Sequence, residues 1–154
     1  MPPSQVTPSQ VTLTSEFAHA LALALAEATP REFVGAIGGV TVGTTWQATT
    51  LVALPNTATD ATTFRVDPFA FATAEATLRT RHAPWLGFVH NHPCGDHTLS
   101  AVDRAALWQR CLQLVVAGTI VTDTGLGAYW LDEHGARPIP LVRPSRQPAT
   151  SRPA

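Results

Sequence analysis

The sequence predicts an α+β fold, a mixed α/β sandwich in which a central, mostly antiparallel sheet is flanked by helices. Two segments carry both start and stop signals of helices, at 14–30 and 67–80, and a third helix is expected after residue 100. Seven short apolar runs of strand length surround them. Several of these runs follow one another with no helix between, which argues against a doubly wound parallel sheet.

Taken in chain order, Met1 to Thr12 is rich in Pro, Ser, Gln and Thr and is expected to be disordered. Thr14 or Ser15 can cap a helix that runs to about Ala28, with Glu16 in its first turn and Pro30 beyond its end. Phe33 to Val42 is apolar and holds three glycines, which suits a buried strand with close backbone contacts. Trp46 to Leu54 is a second strand, broken by Pro55-Asn56, and a polar loop from Thr57 to Thr63 follows. Phe64-Arg65-Val66 is expected as a short strand. Asp67 then caps a helix to about Thr80, with Pro68 at its first position. Trp85 to His90 is a strand ended by Pro93, and Ser100 starts a helix to about Arg110. Leu112 to Val121 and Leu126 to Leu131 are two strands joined at Asp123-Thr124-Gly125, with a last short strand at Ile139 to Val142. Arg143 to Ala154 repeats the N-terminal composition and is expected as a disordered tail. The division is thus 1–12 disordered, 13–142 one folded domain, 143–154 disordered.

Composition bounds the function. A chain of 154 residues suits one core, and 45% hydrophobic against 14% charged residues describes a globular interior under a sparsely charged surface. A formal net charge of -1 supplies no basic field for nucleic acid or an anionic membrane. All basic side chains except histidine are Arg, so the protein offers no lysine side chain to a modifier. Two cysteines, Cys94 and Cys111, cannot build a disulfide framework. Cys94 is expected as a small loop residue and Cys111 in the core. The N-terminus lacks a positive region followed by a long apolar run, and Leu21 to Glu27 is too short to span a bilayer. The expectation is a cytoplasmic protein, and a homodimer is compatible with the sequence.

The chemistry concentrates in His90-Asn91-His92-Pro93-Cys94-Gly95-Asp96-His97-Thr98-Leu99-Ser100-Ala101-Val102-Asp103, which holds three of the six histidines. His90 and His92 lie two apart at a strand end, so both point to one face and can share one metal ion. Asp103, in the first turn of the next expected helix, can supply a carboxylate. Two imidazoles and one carboxylate form a familiar catalytic zinc set that leaves a fourth position for water. Each piece alone has a structural explanation, since Ser100-x-x-Asp103 also resembles a helix N-cap. Asp96 and His97 are expected as loop residues. Trp46, Trp85, Trp108 and Trp130 suit the core or a partner surface.

The pattern His90-x-His92-Pro93, Ser100, Asp103 resembles the JAMM motif of the JAB/MPN zinc metalloproteases. Glu32, at the start of the first strand, matches the glutamate that completes the site in that family. Leu54-Pro55-Asn56 followed by Phe64-Arg65-Val66-Asp67-Pro68 resembles the short prokaryotic JAB proteins. The resemblance covers about residues 13 to 142. It implies one zinc ion per chain on His90, His92 and Asp103, Glu32 as general acid–base, and Ser100 as a hydrogen-bond donor to the oxyanion. No other cofactor is expected. The implied activity is hydrolysis after the C-terminal Gly-Gly of a ubiquitin-like or sulfur-carrier protein, with no nucleic acid or membrane partner. His90-Asn91-His92-Pro93-x-Gly95-Asp96 also resembles the RadC proteins linked to DNA repair, although no basic patch accompanies it here. A non-catalytic MPN-type scaffold is disfavoured because every ligand and Glu32 are present.

Overall fold

The computed structural model describes residues 6–58, 64–98, 110–122 and 124–142. Among the described residues there are two helices, α1 (Ser15–Ala28) and α2 (Pro68–Thr80). The strands are β1 (Gln10–Leu13), β2 (Val34–Val42), β3 (Thr45–Leu54), β4 (Trp85–His92), β5 (Cys111–Ala117), β6 (Leu126–Asp132), β7 (Gly135–Pro138) and β8 (Leu141–Val142). They form one sheet in the order β7-β6-β5-β4-β2-β3-β1-β8. Four of its seven pairings are antiparallel; β4–β5, β1–β3 and β1–β8 are parallel. The expected α+β architecture is therefore the one observed. No helix of the described residues is long and apolar enough to cross a membrane.

Both helices start as their caps dictate. The Thr14 hydroxyl accepts the Phe17 amide at 3.2 Å, and Asp67 accepts that of Phe69 at 3.2 Å, with Pro68 opening the first turn. α1 buries Phe17, Leu21 and Leu25, spaced by four along one stripe, against one face of the sheet. α2 buries Phe71, Ala74 and Leu78 against Val34, Ala36, Leu54 and Phe88 on the other face. Strand alternation thus divides β4: Phe88 belongs to the α2 face and Val89 to the α1 face.

The sheet curls. Trp46 of β3 and Trp130 of β6 meet edge to face with ring centroids 5.4 Å apart. Four strand spacings separate them, about 19 Å on a flat sheet. The chain between β7 and β8 closes the curl. Ile139 donates its amide to Ala128 of β6 at 2.8 Å, and Pro140 accepts that of Val11 of β1 at 2.9 Å. Close approach inside the sheet is made possible by glycine: a Cβ on Gly87 would stand 1.9 Å from the Leu112 carbonyl oxygen of β5.

Four local expectations are corrected. Gln10–Thr12, assigned to the disordered N-terminus, form most of β1, because Val11 and Leu13 are buried and pair with β3 and β8. Phe64-Arg65-Val66 is not a strand; Arg65 hydrogen-bonds back to Asn56 and Thr57 within its own loop. β5 ends at Ala117 rather than Val121, since Gly118 takes φ 80° and turns the chain. β7 lies in a segment given no strand, and the last strand is confined to Leu141–Val142. The expected helix from Ser100, and Trp108 within it, lies outside the described residues apart from Arg110, whose φ of 61° is not helical.

Two outcomes follow from this core. Trp130→Ala removes half of the contact that closes the curl and should cost about 3–5 kcal/mol in denaturant unfolding; a loss well under 1 kcal/mol would show that closure rests elsewhere. Cys94 is exposed and Cys111 buried. Burial pushes the Cys111 thiol up to about 12, from an ordinary value of 9.0. The folded state therefore holds its proton longer than the unfolded state does, so stability is retained below about pH 9 and falls as pH rises through the window to about 12. Thiol titration at about pH 8 should find one fast-reacting group, Cys94, and a second only on unfolding. Equal rates for both would contradict the buried assignment.

Candidate metal and hydrolytic centre

The two histidines are set by β4. Its antiparallel register with β2 pairs Val34 with His90, and its parallel register with β5 pairs His92 with Ala117. Alternation from Phe88 puts His90 and His92 on the α2 face, near the end of the strand. His90 is fully buried and His92 half-buried. Their Nε2 atoms face each other at 3.2 Å. The Phe64 ring covers His90 at a centroid distance of 4.6 Å.

The loop after β4 fixes the tautomer of His92. Its Nδ1 lies 2.7 Å from the Asp96 carbonyl oxygen, which can only accept, so Nδ1 carries a proton and in the neutral ring Nε2 is the nitrogen with the lone pair. The His92 carbonyl is held in turn by the amides of Gly95 at 3.1 Å and Gly118 at 2.8 Å. Asp96 shapes the loop with its side chain. Its Oδ1 accepts both the Thr98 hydroxyl at 2.6 Å and the Thr98 amide at 3.0 Å. These bonds, with His92 and His97 nearby, hold its carboxyl below the usual carboxylate range. His97 packs over β6: its carbonyl accepts the Tyr129 hydroxyl at 3.1 Å. A Cβ on Gly127 would come within 2.9 Å of His97 Nδ1.

Glu32 stands two residues before β2, not within it, and is 4% exposed rather than solvated. The register that pairs Val34 with His90, continued by two residues, brings Glu32 level with His92. Two asparagines hold this approach. Asn91, pointing away from its neighbouring histidines, accepts the Phe33 amide at 2.7 Å and donates to the Gly118 carbonyl at 2.9 Å. Asn56 donates to the Glu32 carbonyl at 3.0 Å. The sequence assigns Asn56, Asn91 and Phe64 no part in the site; the available signals are Asn91 between the two histidines and Asn56 in the Leu54-Pro55-Asn56 run.

The structure thus brings His90 and His92 together, with Glu32 on the adjoining strand approach. Ser100 and Asp103 lie outside the described residues. Among the described residues no group of three His, Cys, Asp or Glu side chains forms a metal cluster. The pair itself fits zinc. Two nitrogens bound tetrahedrally at about 2.0–2.1 Å stand about 3.3–3.4 Å apart, close to the observed 3.2 Å. A metal ion or a shared proton between the two nitrogens relieves the repulsion of their lone pairs.

Comparison with known proteins bears on the fold and the family. The solution structure of a Desulfitobacterium hafniense protein superposes with a TM-score of 0.77 at 21% identity, covering 87% of this chain and 92% of its own. A Salinibacter ruber protein, also solved in solution, gives 0.62 at 21% identity over 88% and 93%. At such identities the likeness is one of fold. No curated protein matches the sequence. A family model described as prokaryotic homologs of the JAB domain matches residues 14–132, and the chain belongs to that family.

Proposed function

We propose that the protein is a zinc-dependent metallo-isopeptidase or peptidase of the cytoplasm, cleaving after the C-terminal Gly-Gly of a ubiquitin-like or sulfur-carrier protein. The observation that carries this is the convergence of His90 and His92 Nε2 at 3.2 Å beside the buried approach of Glu32, in a JAB domain. His90, His92 and Asp103 would hold one zinc ion. Zinc in such a set supplies a Lewis acid that makes water a nucleophile near neutral pH. Glu32 takes the proton of the attacking water and returns it to the leaving amine. Ser100 donates a hydrogen bond to the oxyanion that forms at the scissile carbonyl. A tail of two glycines suits a narrow site, because neither residue carries a side chain that would displace the carbonyl.

The test uses ubiquitin-like and sulfur-carrier proteins extended beyond Gly-Gly, with and without a chelator. The purified chain should contain about one zinc, and His92→Ala should lose it. Glu32→Gln should keep the metal and lose ~10²–10⁴-fold in turnover. Ser100→Ala should lose roughly 10²–10³-fold with little change in KM. Replacing the terminal Gly of the substrate by Val should abolish cleavage. Turnover indifferent to chelator, or His92→Ala with wild-type zinc affinity, would sink the proposal. Structure-specific DNA binding without peptidase activity would favour a RadC-like role instead.

A further inference from the structure

One peptide group in the site is held at both of its polar ends. The Glu32 carbonyl and the Phe33 amide belong to the same peptide plane. Asn56 Nδ2 donates to its oxygen at 3.0 Å, and Asn91 Oδ1 accepts from its nitrogen at 2.7 Å. The plane cannot rotate without breaking one of these bonds. Its orientation sets ψ of Glu32, and with it the direction in which the glutamate side chain leaves the backbone.

Asn56 does more than hold that oxygen. Its Oδ1 accepts the amides of Ala58 at 3.0 Å and Arg65 at 3.1 Å, so both lone pairs are used. Thr57 and Arg65 then close the neck of the loop, with the Thr57 amide 3.2 Å from the Arg65 carbonyl. Arg31, next to Glu32, reaches the same loop through the Ala58 carbonyl. The residue before Arg65 is Phe64, whose ring lies on His90. A single amide therefore ties the backbone of Glu32 to the segment that covers His90.

We propose that Asn56 is a positioning residue: with Asn91 it locks the Glu32–Phe33 peptide plane and so sets the Glu32 carboxylate relative to His90 and His92. The role in turnover rests on the hydrolytic function proposed above; the locking of the plane does not. Asn56→Asp separates the two jobs of the side chain. It keeps an oxygen for Ala58 and Arg65, but it turns a second oxygen toward the Glu32 carbonyl where a donor stood.

The experiment measures amide hydrogen exchange, zinc content and kinetics on the full chain. In Asn56→Asp the Phe33 amide should exchange faster by roughly five- to tenfold, the scale of one lost hydrogen bond in a local opening. Amides of Val89 and Leu114 should be unchanged and zinc retained. Turnover should fall on the order of tenfold to a hundredfold, the scale of a misplaced reacting group, with KM within about twofold. Thr14→Ala, which uncaps α1 on the opposite face of the sheet, controls for general destabilisation and should leave kcat alone. If Asn56→Asp does not fold, Asn56→Ala at lower temperature removes the donor to the Glu32 carbonyl together with the loop bonds, and the Phe33 amide should still exchange faster while those of Val89 and Leu114 stay unchanged. Unchanged Phe33 exchange, or an equal rise at all amides, overturns the proposal, as does wild-type kcat on active substrate. If the wild-type chain cleaves no Gly-Gly substrate, the function fails, and the exchange data alone decide whether Asn56 locks the plane.

Discussion

The site depends on a buried amide that never faces it. Asn91 sits between His90 and His92 in β4, and alternation sends it to the opposite face of the strand. There it bridges the two neighbours of β4, with the Phe33 amide on one side and the Gly118 carbonyl on the other. An amide buried this deeply would cost about 1–3 kcal/mol if it lost its partners. Those partners exist in one register only. A slip of β4 by one residue would strand Asn91 among the α2-facing apolar side chains and turn both histidines into the opposite core. The amide thus specifies the register, and the register places the imidazoles.

The histidines themselves are held unequally. His90 has Val34 opposite on β2, Val115 opposite on β5 and the Phe64 ring above it. His92 lies one pleat nearer the strand end, half-buried, with its outer nitrogen committed to the Asp96 carbonyl. That bond fixes the ring from its outer side, as such bonds do for histidines that hold a metal. The loop that supplies it contains Pro93, which contributes no amide, and Gly95, where a Cβ would stand 2.9 Å from that of His92.

How much of this was visible in the sequence follows from the range of the forces involved. Helix caps act over two or three residues, so Thr14 and Asp67 announced α1 and α2 correctly. The apolar runs of β2 to β6 and the His-x-His spacing were equally local. β1 was weaker: Gln10–Leu13 alternate polar and apolar over only four residues, and they become a strand because β3 and β8 flank them. β7 carries Gly135 and Pro138, poor strand formers that an edge strand tolerates. Phe64-Arg65-Val66 has strand composition, yet its backbone is claimed by Asn56 and Thr57. Glu32 is picked out by the family resemblance, but its burial depends on contacts outside its own segment. The task of Asn56 has no local signature, because its partners lie 24 residues before it and nine after it.

A division of labour emerges from where the fixed groups lie. The hydrolytic function proposed here would need rigid placement of the acid–base and ligands, yet a face open to substrate. Here the placement comes from the centre of a curled sheet with cores on both of its faces. The opening comes from the strand ends, where β4 stops at His92 and β5 stops at Ala117. Between these two demands sit the side-chain amides. They take up the backbone groups that the sheet ladder no longer pairs at its end, Phe33 N–H, Glu32 C=O and Gly118 C=O, and so carry the order of the sheet past its last ladder bond. Two asparagines suit that position better than any apolar pair, because each offers a donor and an acceptor in one rigid plane. They extend the frame by two residues before β2, to Glu32, and by one after β5, to Gly118.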